Sequence, residues 1–213
     1  MNQDRTVALF EVSALVALLL SYIWGWQHAF PGSFRVVLVL YFGLGIMSHL
    51  IRHESPHEIG IRLDNFPRAL LNAAVLVVPA VAVVLLIGLA LDSWHFHSWE
   101  HTLVELPFLF AWALAQQYGL LCVIYRRLMD IFGNSAAATA GASTAFALFH
   151  LPNPFLTAVT LAAGAAACTL YRREPNVLVT GLAHTLISFV LLCSLSPDIT
   201  HGLRVGPGYF ALR

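Results

Sequence analysis

An apolar stretch in the middle of the chain carries two adjacent amide side chains and reads LAQQYGLLCVI over residues 114–124. Two further apolar stretches each carry one imidazole, in FALFH at residues 146–150 and in AHTLIS at residues 183–188. A polar side chain at hydrocarbon depth costs a few kcal/mol unless it finds a partner. We therefore expect the polar side chains of these stretches to face one another in a shared interior, which is the candidate site. They are Gln116, Gln117, His150 and His184.

The composition of the chain is that of a polytopic membrane protein. Of its 213 residues, 59% are hydrophobic and 10% are charged, and the mean hydropathy is +0.76. Ordinary globular proteins carry roughly 25% charged residues. The formal net charge is zero and there is no lysine, so neither nucleic-acid binding nor a charged, solvated tail is predicted. We expect a protein that is integral to the lipid bilayer of the cell membrane.

The apolar runs predict an all-α transmembrane bundle of about seven spans, with a range of six to eight. Each run is near the ~20 residues that cross ~30 Å of hydrocarbon, although the fifth and sixth are short and are separated by Pro-Asn-Pro. The runs are residues 7–24, 34–50, 69–91, 103–124, 136–151, 155–171 and 177–195. No internal repeat or soluble domain is found, so residues 1–213 are predicted to form a single integral-membrane domain.

Arginine is concentrated in alternate loops, and the intervening loops carry none except Arg35 at an edge. By the positive-inside rule, this pattern predicts that the N-terminus and the arginine-bearing loops are cytoplasmic. The arginines follow the second, fourth and sixth runs and are Arg52, Arg62, Arg68, Arg126, Arg127, Arg172 and Arg173.

Two other kinds of segment predict packing rather than chemistry. Residues 136–145 and 162–167 are almost entirely small, which lets helix backbones approach closely, and this places the helix that ends in His150 centrally in the bundle. Residues 55–67 are predicted to be partly an interfacial helix with four apolar side chains facing lipid. These are Ile59, Ile61, Leu63 and Phe66.

The polar residues of the candidate site have helical spacing. His184 and Ser188 are four residues apart, so they lie on one helical face and the hydroxyl could orient the imidazole. Phe146 and His150 have the same spacing, which places an aromatic ring beside the imidazole. The alternative interpretation is that each histidine only holds helices together.

In their order, these motifs resemble those of the CAAX-protease and bacteriocin-processing (CPBP) family of glutamate-type intramembrane endopeptidases. That family carries Glu-Glu-x-x-x-Arg, then Phe-x-x-x-His, then His-x-x-x-Asn or a similar polar residue. In this sequence Gln116-Gln117 resembles the first motif, Phe146 to His150 the second and His184 to Ser188 the third. The family-like core covers about residues 58–194, beginning with EIGIRL.

The resemblance implies an endopeptidase that hydrolyses a peptide bond of a membrane-anchored protein or peptide. It implies catalytic roles for His150, His184, Gln116 and Gln117, with Phe146 and Ser188 in support. The two histidines would hold activated water or a divalent metal such as zinc.

The sequence departs from the family's pattern where the chemistry would be. Both glutamates of the first motif are amides, and Leu121 stands where the arginine would be. An amide cannot act as a general base, because it does not bind a proton near operating pH. Gln116 could still orient water or stabilise an oxyanion, which is worth about 2–4 kcal/mol.

Two other assignments of chemistry to residues stay open at this point. Glu105 precedes Gln116 by three helical turns, about 16 Å along the axis, and would replace the missing carboxylate if His150 lies at the outer end of its helix, as hydropathy indicates. Separately, three histidines in the loop before residue 102 have a spacing that could bind a metal, although such a loop is more typical of an interfacial belt. They are His95, His97 and His101.

Functions from other classes also remain open. A non-catalytic membrane scaffold or chaperone-like module would use the same polar groups to hold helices or to receive the transmembrane helix of a partner. A carrier that relays protons or metal ions would need carboxylates along a pathway, and the predicted spans lack them apart from Glu11 and Glu105.

Overall fold

The computed structural model describes residues 3–30, 32–96 and 98–212. Within these ranges the chain is helical and contains no strand, which confirms the predicted all-α polytopic bundle. Seven main helices form the bundle in this part of the chain. They are α1 (Gln3–Ser21), α2 (Ser33–Ile51), α3 (Phe66–Ala90), α4 (Trp99–Gln117), α5 (Ser135–Leu148), α6 (Pro154–Arg173) and α7 (Val177–Ser194).

Two of these helices continue through a stretch of wider, π-helical turns. Helix α1 runs on through Tyr22–Trp26 and Gln27–Ala29, and α4 runs on through Tyr118–Tyr125 and Arg126–Phe132. Helix α4 and its extension together form the longest continuous helical path in the described bundle. The paired amides lie at the end of α4, and the paired arginines lie in the extension. A C-terminal segment, residues 197–212, follows α7 as short helical turns.

Six of the helices are long and apolar enough to cross a membrane, within the predicted range. Helix α5 is the exception, because its 14 residues extend only about 21 Å at 1.5 Å per residue. That length falls short of the ~30 Å hydrocarbon core. The turn that follows α5 and carries His150 is therefore expected to lie within the depth of the bundle rather than beyond it.

Asparagine side chains start the last three long helices. The Oδ1 atoms of Asn134, Asn153 and Asn176 each accept a hydrogen bond from the backbone N–H three residues on, at 2.9–3.0 Å. Such caps satisfy N–H groups that have no partner within the helix. Gly133, with φ of 69°, ends the extension of α4 in the left-handed conformation that glycine adopts without strain. Helix α5 can therefore turn back beside α4.

Helices α5 and α6 pack closely through their small residues, as predicted. A Cβ added at Gly164 would lie 3.2 Å from the Cα of Ser143 and 3.4 Å from the ring of Phe146. The absence of a side chain at Gly164 thus lets α6 approach the helix that carries the second motif. This approach holds Phe146 in place inside the bundle.

The bundle has two distinct ends. The arginine-rich end holds the start of α1, the connection between α2 and α3, and the last turn of α6, whereas the opposite end holds the C-terminal segment. The prediction of an interfacial helix over residues 55–67 is wrong, because the segment consists of turns up to the start of α3. Ile59 is buried at 5% exposure and its carbonyl accepts a bond from the Cys122 thiol, whereas Leu63 remains exposed.

Candidate functional site

The two adjacent amides end the α-helical part of α4, and the π-helical turn begins immediately after them. Tyr41 of α2 donates its hydroxyl to the backbone carbonyl of Ala115, one turn before that change. The close approach requires glycine at position 119, because a Cβ there would overlap the Tyr41 hydroxyl. A π-helical turn changes the direction in which nearby side chains project and often marks a functional site. Tyr41 and Gly119 therefore define the turn that orients Gln116 and Gln117.

Of the two amides, Gln117 is the one that bonds to the third motif. Its Nε2 lies 3.1 Å from Nδ1 of His184 on α7, and the residue is only 4% exposed. Consecutive residues of a helix project about 100° apart, so both amides cannot face the same imidazole. Gln116 is half-buried beside it. The Oε1 atom of Gln117 is buried and has no hydrogen-bond partner among the described residues.

Phe146 brings the two imidazoles together. Its buried ring lies edge-on to His150, with centroids 4.8 Å apart, and edge-on to His184, with centroids 6.1 Å apart. Nδ1 of His150 lies 2.7 Å from the backbone carbonyl of Phe146. The structure thus collects one residue from α4, one from α5, one from the following turn and one from α7. We refer to Gln117, Phe146, His150 and His184 as the neutral cluster, since none is a carboxylate or a permanent cation.

The hydrogen bonds of the neutral cluster give the two imidazoles opposite roles. A carbonyl only accepts, so Nδ1 of His150 carries the proton and Nε2 of the neutral ring offers a lone pair. An amide nitrogen only donates, so Nδ1 of His184 accepts from Gln117 and Nε2 carries the proton. The cluster therefore presents one ring nitrogen that accepts a proton and one that donates a hydrogen bond.

The remaining predicted residues lie at the edge of this arrangement. Ser188 is half-buried one turn beyond His184, whose Nδ1 is bonded to Gln117. Glu105 is exposed on α4, about 18 Å along the helix axis from Gln117. Glu105 is thus more exposed than His150, which is half-buried against Phe146. Of the three loop histidines, His97 lies outside the described residues.

The donors of the neutral cluster do not fit a catalytic zinc site as they are placed. Catalytic zinc sites commonly use three protein ligands, and in the described part of the chain no three His, Cys, Asp or Glu side chains form such a group. A metal-binding histidine usually donates its second ring N–H to a carbonyl or carboxylate. His150 meets that condition through Phe146, whereas His184 accepts from an amide instead.

A second buried polar cluster lies at the arginine-rich end, and the sequence analysis did not predict it. Its centre is Arg127, which is 1% exposed in the extension of α4. The guanidinium donates to Glu54, to Ser48 Oγ at 2.8 Å and to Asp130 at 3.2 Å. We refer to the group as the ionic cluster. It consists of Glu11, Ser48, His49, Arg52, Glu54, Arg126, Arg127 and Asp130.

The ionic cluster joins four parts of the chain by opposite charges. Arg52 bonds Glu11 of α1 at 2.7 Å, and His49 of α2 lies 2.7 Å from Glu54. Burial opposes ionisation of Glu54, but hydrogen bonds from His49, Arg127 and Arg126 outweigh it and hold the pKa of this carboxyl far below its ordinary value. In the sequence, these arginines indicated only the topology of the loops. The sequence did contain a signal for this cluster. Arg127 closely follows an apolar helical run, where a cation would be buried and would require a partner.

A family model described as Rce1-like, "Type II CAAX prenyl endopeptidase Rce1-like", matches residues 106–190. Residues 106–190 of this chain are similar to the Rce1-like family. The match includes all three motifs and lies within the predicted core of residues 58–194, so the recognition of a CAAX-protease-like family from sequence is confirmed. Comparisons with curated proteins and with solved structures give no match. Residues 106–190 are thus similar to a peptidase family, and they lie in a chain with six helices, among the described residues, that are long and apolar enough to cross a membrane.

Proposed function

We propose that the Rce1-like chain is an intramembrane endopeptidase that hydrolyses a peptide bond of a membrane-anchored protein or peptide. The observation that carries the proposal is the pair of imidazoles around Phe146, with one ring nitrogen that accepts a proton and one that donates a hydrogen bond. Hydrolysis of an amide requires both functions at one carbonyl group.

In the proposed reaction, Nε2 of His150 takes a proton from water as the water oxygen forms a bond to the carbonyl carbon. The Nε2–H of His184 donates to the carbonyl oxygen, where negative charge develops. The His150 imidazolium then gives its proton to the leaving nitrogen as the carbon–nitrogen bond breaks. A positioned general base contributes roughly 10²–10⁴-fold to such a rate, and one oxyanion donor roughly 10²–10³-fold.

Gln117 acts in this proposal through His184. Its amide nitrogen fixes the tautomer of the imidazole, so that the donor of His184 faces away from Gln117. Gln116 lines the same pocket, and Ser188 supports His184 from the next turn. Because no carboxylate assists His150, we expect a slower enzyme than one with glutamate at these positions.

An alternative proposal for the same reaction places a divalent metal such as zinc on Nε2 of His150 and His184. It requires the Gln117 amide to turn over, so that Oε1 accepts from Nδ1–H of His184 and frees Nε2 for the metal. Zinc measured by mass spectrometry in the purified wild type and in His150→Ala and His184→Ala variants tests it. Stoichiometric zinc that both variants lose would support the metal.

A second candidate function is a non-catalytic scaffold or chaperone-like module derived from the family. The observation in its favour is that both positions of the first motif are amides and that Leu121, at the position of the family's arginine, is 0% exposed in the apolar core. Under this proposal the neutral cluster holds helices together or receives the transmembrane helix of a partner.

Terminal-peptide mass spectrometry separates these two functions. Membrane and surface proteins are compared from cells with the wild type, a deletion, or His150→Ala or His184→Ala at equal levels of folded protein. Cleaved termini that vanish in the deletion and in both variants would support the peptidase and would reveal its substrate. Termini that persist in every strain, together with a deletion phenotype that the variants rescue, would support the scaffold.

Restoring the carboxylate provides a second test of the proposed chemistry. In Gln117→Glu the carboxylate accepts from Nδ1–H of His184 and stabilises that ring as an imidazolium, whose Nε2–H still donates to the carbonyl oxygen. We expect faster cleavage of any substrate found, and Gln116→Glu provides the matched change on the neighbouring helical face. If neither variant gains activity in an inactive parent, a peptidase disabled only by its amides is contradicted.

We also propose that the arginine-rich end and the N-terminus face the cytoplasm. The basis is the alternation of arginines between loops. Labelling of single cysteines introduced at Arg68 and at Asp92 in intact cells tests the orientation, because the two positions lie at opposite ends of α3. Labelling of the Arg68 position from outside would contradict it.

A further inference from the structure

The turn that carries His150 needs hydrogen-bond partners from elsewhere in the chain. It connects the end of α5 at Leu148 to the start of α6 at Pro154, and α5 is too short to carry it to the far side of a bilayer. Irregular backbone at hydrocarbon depth is tolerated only where protein or water satisfies its polar groups. The partners of this turn therefore bear directly on where the imidazole is held.

The C-terminal segment supplies those partners. The backbone N–H of Gly206 donates to the carbonyl of Leu151 at 2.8 Å. The side-chain amide of Asn153 donates to the carbonyl of Thr200 at 2.9 Å and to that of Arg204 at 3.2 Å. Asn153 itself is 0% exposed. Three hydrogen bonds thus fasten the segment onto the turn.

Gly206 also fixes where the segment lies against the first helix. Its φ is +54°, and an added Cβ would lie 2.7 Å from Cγ2 and 2.8 Å from the carbonyl oxygen of Ile23. A side chain at this position would have to move the segment away from the extension of α1. The segment is therefore held between Ile23 on one side and the His150 turn on the other.

Asn153 links the C-terminal segment to His150, because it forms hydrogen bonds with both. Its backbone N–H donates to the carbonyl of His150 at 3.2 Å, and its Oδ1 caps α6 by accepting from Leu156 at 3.0 Å. The same residue thus bonds the histidine's backbone, the first turn of α6 and two carbonyls of the C-terminal segment. Its side chain has no hydrogen-bonding atom left unused.

We infer that Asn153 is a positioning residue through which the C-terminal segment holds the imidazole of His150 against Phe146. The C-terminal segment then helps to position a residue of the site, although it carries no residue of the three motifs. An effect of Asn153 on the rate of cleavage rests on the proposed peptidase function. An effect of Asn153 on the position and tautomer of the His150 ring does not.

Asn153→Asp separates the two roles of the residue. The carboxylate keeps the oxygen that caps α6, but it replaces the donor that faces the Thr200 and Arg204 carbonyls with an acceptor. Asn176→Asp is the matched control, because Asn176 is also buried, caps α7 through Oδ1 and donates its amide to the Arg62 carbonyl at 3.0 Å. It lies at the arginine-rich end, away from His150.

The experiment records the imidazole nitrogen signals of full-length protein labelled with ¹⁵N-histidine in lipid, with His150 and His184 assigned from their alanine variants. In the wild type and in Asn176→Asp we expect His150 to show one fixed tautomer with the proton on Nδ1. In Asn153→Asp we expect a mixture of tautomers for His150 and an unchanged signal for His184. An unchanged His150 signal in folded Asn153→Asp would overturn the inference.

Two additional measurements keep the inference testable in every outcome. If Asn153→Asp does not fold, Gly206→Ala displaces the same segment from Ile23 and should give the same mixture, and a single His150 tautomer there would overturn the inference. Where a substrate is available, kcat should fall roughly tenfold to a hundredfold with little change in KM, since misplacement by about 1 Å can cost this much. A wild type that cleaves nothing contradicts the proposed function alone, because the nitrogen signals still decide the role of Asn153.

Discussion

The neutral cluster and the ionic cluster both bury polar side chains against the same long helix. Gln117 and Arg127 lie ten residues apart on α4 and its extension. In the ionic cluster each cation faces a carboxylate, and Glu54 is held so strongly in its charged form that it is a poor base. The neutral cluster contains no carboxylate or permanent cation, and the hydrogen bonds of its two imidazoles to other described residues are made through Nδ1.

This difference in charge distinguishes a cluster that stabilises the fold from a cluster that can react, and burial does not, because both clusters are buried. Charges that neutralise one another join α1, α2 and α4, and they hold the pKa of the Glu54 carboxyl far below its ordinary value. A neutral imidazole offers one ring nitrogen that accepts a proton and one that donates a hydrogen bond. We therefore expect variants of the ionic cluster to lose stability. We expect variants of the neutral cluster to change the tautomers of the imidazole rings.

The largest effect on stability is expected from Arg127→Met. Removing the guanidinium leaves Glu54 without its principal buried cation, and breaking a buried pair in this way typically costs about 3–5 kcal/mol. Thermal unfolding in detergent should show a large fall in the midpoint temperature. Arg172→Met is the matched control, because Arg172 is exposed near the end of α6. An Arg127→Met protein as stable as the control would contradict a structural role for the ionic cluster.

The next effect concerns the acid stability that Glu54 confers. Its pKa in the folded protein is lowered, so its contribution is fully present above the unfolded value of about 4.3 and is lost as pH falls from there towards the folded value. We expect the unfolding midpoint of the wild type to fall below about pH 4. Glu54→Gln should be less stable at neutral pH and should lose less stability on acidification.

Exposed Glu100 provides the control for this acid profile. The Glu100→Gln variant should keep the wild-type dependence on pH, because its carboxylate is not part of the ionic cluster. Gln117→Leu should keep it as well, since the neutral cluster contains no carboxylate. Parallel acid profiles for the wild type and Glu54→Gln would show that Glu54 is not the group responsible.

A smaller loss of stability is expected from Gln117→Leu itself. Loss of one hydrogen bond costs about 0.5–1.5 kcal/mol, well below the cost of the Arg127 change. Its more specific consequence is that Nδ1 of His184 loses its donor, so the fixed tautomer should disappear from the ¹⁵N-histidine spectrum. Gln116→Leu, on the adjacent face of the helix, should leave that signal unchanged. A His184 signal that is the same in both variants would contradict the assignment of Gln117.

The smallest effect is expected from Arg68→Ala. Its guanidinium lies 3.4 Å from Glu174, but the side chain is 76% exposed, and exposed pairs contribute about 0–1 kcal/mol. The midpoint temperature of thermal unfolding should hardly change, and it should depend little on salt concentration. A loss as large as that of Arg127→Met would show that charge at this end of the bundle matters irrespective of burial.

Sequence analysis could predict the helices and the motif residues because both depend on local pattern. Apolar runs of span length and arginines at alternate loops identified the bundle, and the order of Gln117, His150 and His184 identified the family. The turn structure over residues 55–67 was not predicted, because Ile59 is buried by contact with a distant helix rather than by local periodicity. The ionic cluster was missed for the same reason, since Glu54 and Arg127 are far apart in sequence.

The details of the candidate site depended on distances between helices. Which of the adjacent amides bonds His184 is determined by the rotation of α4, which the Tyr41 contact with Ala115 and the glycine at position 119 define. Helical spacing had paired His184 with Ser188, whereas the structure gives Nδ1 of His184 a partner from another helix. A short-range pattern cannot specify such a partner.

By itself, the sequence determined that this is a membrane-spanning helical protein with Rce1-like similarity over residues 106–190, because the cost of placing polar groups in hydrocarbon restricts which segments cross the bilayer and which residues face inward. Only the tertiary structure decided which of those residues meet, because contacts among Gln117, Phe146 and His184 require three helices to approach at defined rotations. It also decided that the C-terminal segment fastens the His150 turn, since hydrogen bonds between distant parts of the chain leave no periodic signal in the sequence.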